Sequence, residues 1–217
     1  MKKIDTVLFD LDGTLIDTNE IIAKSYEYAY QTHLPDLEMP RSLVINNIGP
    51  TLRTIFSRYT KDPARVDALI ESYRAYYTQY EFDYFYLYPK VKDVLDKLKE
   101  NGIQLGIVTS KLKEAAWPSY THFGLEHYFD VFIALDDVDE PKPSAEPVLK
   151  ALSAFDHVEN AIMIGDNQSD LLAGQAAGIL SAGVAWSIKG RDHLKKVNPN
   201  YILESMEDLL PLIPIKE

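Results

Sequence analysis

Five short apolar runs, at residues 7–9, 105–108, 131–135, 161–164 and 181–185, each lead into glycine, an acid or a hydroxyl and then into a helical pattern. Runs of that length bounded by turn residues read as strands. Alternating with helices, they imply βαβ units and therefore a parallel sheet. The helical stretches fall at 90–101, 113–123, 146–155, 170–177 and 206–213; Gly102, Gly124 and Gly178 close three of them, a helix-stop signal. Residues 201–203 add an edge strand.

The gap between the first two strands is too long for one crossover. Residues 19–86 hold no strand pattern and read as helices at 20–33, 41–46, 52–59 and 64–80, with Pro35, Pro40, Gly49-Pro50 and Pro63 as breakers. This segment is expected to be an inserted helical unit hinged near 17–19 and 86–89. Within it Tyr73, Tyr76, Tyr77 and Tyr80 share one helix face. That stripe reads as packing for the helical unit, with an aromatic platform for substrate as its other use.

At 217 residues the chain suffices for one sizeable core, or for a core with a smaller insertion. A formal charge of −11 argues against nucleic acid as a partner, because phosphate backbones demand clustered Lys and Arg. An anionic substrate must then be drawn in by local cations or a metal. Cysteine is absent, which excludes disulfides, thiolate metal sites and a Cys nucleophile. No apolar run approaches the ~20 residues that cross a bilayer, so no membrane association is expected. The start Met1-Lys2-Lys3-Ile4-Asp5 is followed by too short an apolar stretch for a secretory signal, and a cytoplasmic location is expected.

Chemistry concentrates where strands end. Asp10-Leu11-Asp12-Gly13-Thr14 directly follows the first strand, at the edge where open α/β sheets bind ligands. A carboxylate nucleophile, a second carboxylate for proton transfer and a glycine-relaxed loop offering N–H groups to an anion suit phosphoryl transfer through an aspartyl-phosphate. After the second strand come Thr109, Ser110 and Lys111; a hydroxyl there can bond a phosphoryl oxygen, or simply cap the next helix. Lys142 stands between Pro141 and Pro143, which suits a fixed positive charge beside a carboxylate and a phosphate. Asp166 and Asp170 flank the start of a helix after the fourth strand; they complete a site for a hard cation such as Mg²⁺, or cap that helix. The acidic run Asp136-Asp137-Val138-Asp139-Glu140 reads as a solvated loop, with a second cation site as its other use.

Taken together, these four sites resemble the haloacid dehalogenase superfamily of phosphohydrolases over essentially the whole chain. The resemblance implies an α/β fold: a Rossmann-like three-layer parallel sheet with an inserted α-helical cap. The core would be residues 1–18 and 87–217, and the cap 19–86. It implies that Asp10 is the nucleophile and Asp12 the general acid and base, that Lys142 steadies charge, and that Thr109, Ser110, Lys111 and Gly13 meet the substrate. Asp10, Asp12 and Asp166 would hold Mg²⁺, and Asp170 would support it, either as a ligand or through a neighbouring one. Further stretches, among them Gly183-Val184-Ala185-Trp186-Ser187-Ile188-Lys189-Gly190 and Ile48-Gly49-Pro50-Thr51-Leu52, are similar to a pyrophosphate-hydrolysing branch; a phosphoglycolate-hydrolysing branch shares every catalytic motif. The expected partner is a small phosphorylated substrate or pyrophosphate, and the expected assembly a monomer or homodimer. Pyrophosphate requires cations for its second phosphate, with Lys111, Arg53 and Lys113 as candidates.

Overall fold

The computed structural model describes residues 4–213; the first three residues and 214–217 lie outside the described residues. By its internal contacts the chain divides into two units. One comprises the residues up to Ile16 and those from Leu87 onward, the other Asp17–Tyr86.

Strand β1 (Thr6–Phe9) is followed by the two-residue β2 (Ile16–Asp17), which leads into the helical unit: α1 (Asn19–His33), α2 (Arg41–Asn47), α3 (Leu52–Phe56) and α4 (Pro63–Tyr84). The chain leaves through β3 (Tyr86–Leu87), which pairs with β2. Alternation then sets in: α5 (Val91–Glu100), β4 (Gln104–Val108), α6 (Lys113–His122), β5 (Val131–Ile133), α7 (Glu146–Ser153), β6 (Ala161–Gly165), α8 (Gln168–Ala176), β7 (Leu180–Val184), α9 (Arg191–Lys195) and β8 (Tyr201–Leu203).

Six strands form one sheet in the order β5-β4-β1-β6-β7-β8, every pair parallel. Val7, Leu8 and Phe9 are fully buried, the mark of a central strand covered on both faces. From β1 the chain builds outward through β4 to β5. It then returns to the other side of β1 for β6, β7 and β8, so the winding reverses between β1 and β6. Such a reversal opens a crevice at the carboxyl ends of the strands. On one face of the sheet Leu8, Val108 and Met163 pack with Val148 and Ala151 of α7 and Ala173 of α8. Helix α5 buries Val91, Val94, Leu95 and Leu98, an i, i+3, i+4, i+7 stripe.

In the helical unit, α1 lies along α4 around a ring of aromatics. Tyr26 contacts Tyr30, Phe56 and Tyr73 at centroid distances of 6.0, 5.5 and 4.8 Å. Tyr73 and Tyr77 are buried, whereas Tyr76, partly exposed, stacks on Tyr28 and meets the Tyr80 ring at a tilt of 46°. The predicted stripe therefore splits into an inner and an outer pair, both engaged in packing with other rings.

Differences from the sequence reading have local causes. Residues 206–213, expected as an α-helix, form a 3₁₀ segment at Met206–Leu212, because Pro211 removes a donor from an already short stretch. Helix α9 and the strands β2 and β3 were not expected; five residues and two residues are too few to show a period. Among the described residues no helix is long and apolar enough to cross a membrane.

Candidate active site

Asp10 extends β1 by one residue: its N–H donates to the Ile164 carbonyl at 2.9 Å, so its side chain leaves the sheet at the point of reversal. The chain then folds back on itself, with Leu15 N–H donating to the Leu11 carbonyl and Gly13 N–H to that of Ile16 at 2.8 Å. Gly13 has φ +80°, and a Cβ there would lie 2.4 Å from Asp166 Oδ2. Only glycine permits both that backbone and that approach. Gly165 plays the matching part on β6, where a Cβ would overlap that of Asp170 at 2.2 Å.

Lys142 reaches into this crevice from the loop before α7. Its Nζ donates to Asp10 Oδ1 at 2.9 Å and to the Val108 carbonyl at 2.7 Å, and pairs with Asp170 Oδ1 at 2.6 Å. Three acceptors meet the three protons of an ammonium that is almost wholly buried. The other Asp170 oxygen accepts the Asn167 N–H at 2.9 Å, so Asp170 both caps α8 and anchors the lysine. The loop carrying Lys142 is itself drawn in by Glu146, whose carboxylate accepts the N–H groups of Asp139 and Glu140.

Asp10, Asp166 and Asp170, all buried, each bring one oxygen to within 4.8 Å of the others. Burial, aided by Asp170 and Asp12 and opposed by Lys142, lifts the Asp10 carboxyl to about 7. Burial, followed by Asp170 and Asp10, lifts Asp166 well above the usual carboxylate range, against the pull of Lys189 and Lys142. For Lys142 burial opposes the charge, but two carboxylates outweigh it and its pKa is raised. The partners differ because the lysine faces two acids, whereas each acid faces one lysine and other acids. With the lysine charged, the fully ionised triad retains two uncompensated negative charges in a dry site. A divalent cation matches that deficit, and hard carboxylate oxygens are the donors Mg²⁺ takes. Asp12, also expected among the ligands, stands outside this cluster of close oxygens. Its Oδ2 lies 3.5 Å from Lys111 Nζ, while its Oδ1 is buried with no protein partner among the described residues.

Thr109 is buried at the end of β4, and its hydroxyl accepts the Lys111 N–H at 3.2 Å, leaving its own proton to donate. Ser110 follows it, partly exposed. Of the cations proposed for a second phosphate, Lys111 brings its ammonium within 3.5 Å of Asp12. Arg53 pairs with Asp67 in the helical unit, and Lys113 Nζ lies over the Trp117 ring. The acidic run is not merely solvated: Asp136 accepts the Lys113 N–H and Asp137 that of Ala134, which orders the turn after β5. Sequence reasoning missed the loop after β7. There Ser187 Oγ donates to the Asp166 carbonyl at 2.7 Å, and Trp186 Nε1 to that of Thr14 at 3.3 Å. A lone Ser and Trp in a turn give no signal of which carbonyl they meet.

A parallel sheet carrying a buried acid triad, a buried lysine and a strand-end threonine at its point of reversal defines a hydrolase of the phosphatase type. The chain belongs to the haloacid dehalogenase-like hydrolase family, whose profile matches residues 7–184. It is 41% identical over 215 residues to the pyrophosphatase PpaX of Halalkalibacterium halodurans, covering 99% of each chain. Identity to the pyrophosphatase PpaX of Anoxybacillus flavithermus is 42% over 213 residues, 98% of each. Among solved structures it is similar to a predicted phosphoglycolate phosphatase from Haemophilus somnus, at a TM-score of 0.85 and 25% identity, covering 98% of this chain and 99% of that one.

Proposed function

We propose that this protein is a Mg²⁺-dependent phosphohydrolase that works through an aspartyl-phosphate on Asp10, with inorganic pyrophosphate as its substrate. The observation that carries the chemistry is the Lys142 ammonium held between Asp10 and Asp170 beside Asp166. The choice of pyrophosphate rests on the two PpaX relatives, which match over nearly their full length.

Asp10 and Asp166 would hold the ion, with Asp170 behind them fixing Lys142. When bound, Mg²⁺ supplies positive charge beside the phosphoryl oxygens and polarises phosphorus. Lys142 holds Asp10 ionised, and an Asp10 carboxylate oxygen attacks phosphorus while the bond to the bridging oxygen breaks. Asp12 gives its proton to that departing oxygen, releasing phosphate. Thr109 donates its hydroxyl proton to a phosphoryl oxygen and holds the group in line. Asp12, now ionised, takes a proton from water; the water oxygen attacks the same phosphorus, and the Asp10–phosphorus bond breaks. A second phosphate leaves and both carboxyls return to their starting states. Lys111, 3.5 Å from Asp12, brings positive charge to the leaving side.

The test is phosphate release with Mg²⁺ from pyrophosphate, 2-phosphoglycolate, sugar phosphates and nucleotides. Pyrophosphate should rank first. A higher rank for phosphoglycolate, the compound after which the Haemophilus somnus neighbour is named, overturns the substrate but not the chemistry. Acid quenching during turnover of ³²P-labelled substrate should leave label on Asp10; in D10N turnover should fall more than about 10³-fold with the fold retained. Undiminished turnover in D10N removes the covalent route.

A further inference from the structure

The turn after β7 braces both acidic loops at once. Trp186 and Ser187 are neighbours, yet their side chains end on carbonyls of different loops: Thr14, beside Gly13, and Asp166 itself. These loops meet where the Gly13 Cα faces the Asp166 carboxylate, an approach so close that even a methyl group would overlap. Ser187 is buried, and its Oγ is fixed from two sides. It donates to the Asp166 carbonyl and accepts the Lys189 N–H at 3.3 Å. Its backbone is closed into a tight turn, with Ser187 N–H donating to the Val184 carbonyl and Gly190 N–H to that of Ser187. The Trp186 ring packs against Tyr88 at 5.7 Å between centroids, and Tyr88 N–H donates to the Leu15 carbonyl at 3.0 Å. Residues 14 and 15 are thus gripped by one aromatic pair, and Asp166 by the next residue along the same turn.

We propose that Trp186 and Ser187 are positioning residues that set the distance between Asp166 and the Asp10–Gly13 loop, and so the affinity of the acid triad for a divalent cation. Neither touches the reacting atoms. Both act through main-chain carbonyls, which translate a small shift of the turn into a shift of the carboxylates. Loss of a hydrogen bond that orients a ligating residue changes metal affinity about 10- to 100-fold. Ser187 bonds the main chain of Asp166 directly, and Trp186 acts one step further out, through the loop that carries Asp10. The inference rests on the reading of Asp10, Asp166 and Asp170 as a cation site.

Mn²⁺ alone, titrated into metal-free protein and followed by the electron paramagnetic resonance of the free ion, tests it without turnover. W186F keeps an aromatic ring against Tyr88 but loses the N–H donor together with part of the indole's volume; S187A loses the hydroxyl, and S187T retains it. W186F and S187A should each bind Mn²⁺ about tenfold more weakly than the parent, with S187T within about threefold of it. In EDTA both weakened variants should melt within about 4 °C of the parent, as the loss of one hydrogen bond allows. Mn²⁺ affinity within twofold of the parent in both variants overturns the positioning role while the cation site stands. Equal weakening in S187A and S187T overturns the part assigned to the hydroxyl. A parent that does not bind Mn²⁺ at all overturns the cation site and this inference together.

Discussion

Replacing Lys142 by methionine, which keeps the length of the chain and removes the charge, tests the central electrostatic claim. The ammonium lies 2.9 Å from Asp10 Oδ1 and 2.6 Å from Asp170 Oδ1. At an effective dielectric of about 20, each attraction is worth about 6 kcal/mol. Much of that is offset by the cost of burying an ammonium, which is why the net loss on breaking such an arrangement is about 3–5 kcal/mol. The loss arises less from the missing bonds than from three carboxyls left facing one another with no cation. For a chain of this size it corresponds to a fall in melting temperature of about 10 °C in EDTA, read by circular dichroism. D170N in the same background removes one negative charge while its side-chain oxygen still accepts the Asn167 N–H. K142M/D170N should therefore regain about half of the loss, and Mg²⁺ should narrow the gap between K142M and the parent. If K142M is as stable as the parent in EDTA, or the double variant no better than the single, repulsion among the acids is not what the lysine relieves.

Metal-free protein should lose stability as pH rises from 6 to 8. Asp10 has its pKa raised in the folded state to about 7, and Asp166 moves in the same direction. Such groups contribute stability that is full below their unfolded pKa and lost as pH climbs through the folded value. Saturating Mg²⁺ favours the ionised carboxyls and should flatten the slope of melting temperature against pH; equal slopes with and without the ion refute the assignment. G13A should fold but turn over about 100-fold more slowly, since a methyl group at φ +80° meets the Asp166 carboxylate and displaces it; unchanged kcat counts against a tight junction of the loops. In the helical unit, Y73A empties a buried site touching Tyr26, Phe56 and Tyr77 and should cost about 3 kcal/mol, while Y76A at the surface should cost less than about 1. Hydrogen exchange within residues 17–86 reads both, and comparable deprotection in the two variants would contradict the division of the stripe into inner and outer rings.

What the chain's order of residues determined by itself is the architecture and the set of residues that are candidates for the chemistry. Apolar runs such as 6–9 and 161–165 are legible because a strand buried on both faces needs no partner to reveal its pattern. Asp10 and Asp166 are legible because each follows such a run directly, and Asp12 because it stands two residues beyond Asp10 on the same turn. Asp170 and Lys142 were visible as candidates, but whether they met anything depended on distances of tens or hundreds of residues along the chain. Only tertiary structure brought Lys142 to Asp10 across a separation of 132 positions and tied both Asp170 oxygens to protein donors. Only it raised Asp10 and Asp166 above the ordinary carboxylate range, since burial and mutual repulsion are properties of a folded site. The grip of Trp186 and Ser187 on two distant carbonyls was invisible for the same reason. A side chain's type is written locally, but the backbone atom it meets is chosen by the winding of the sheet.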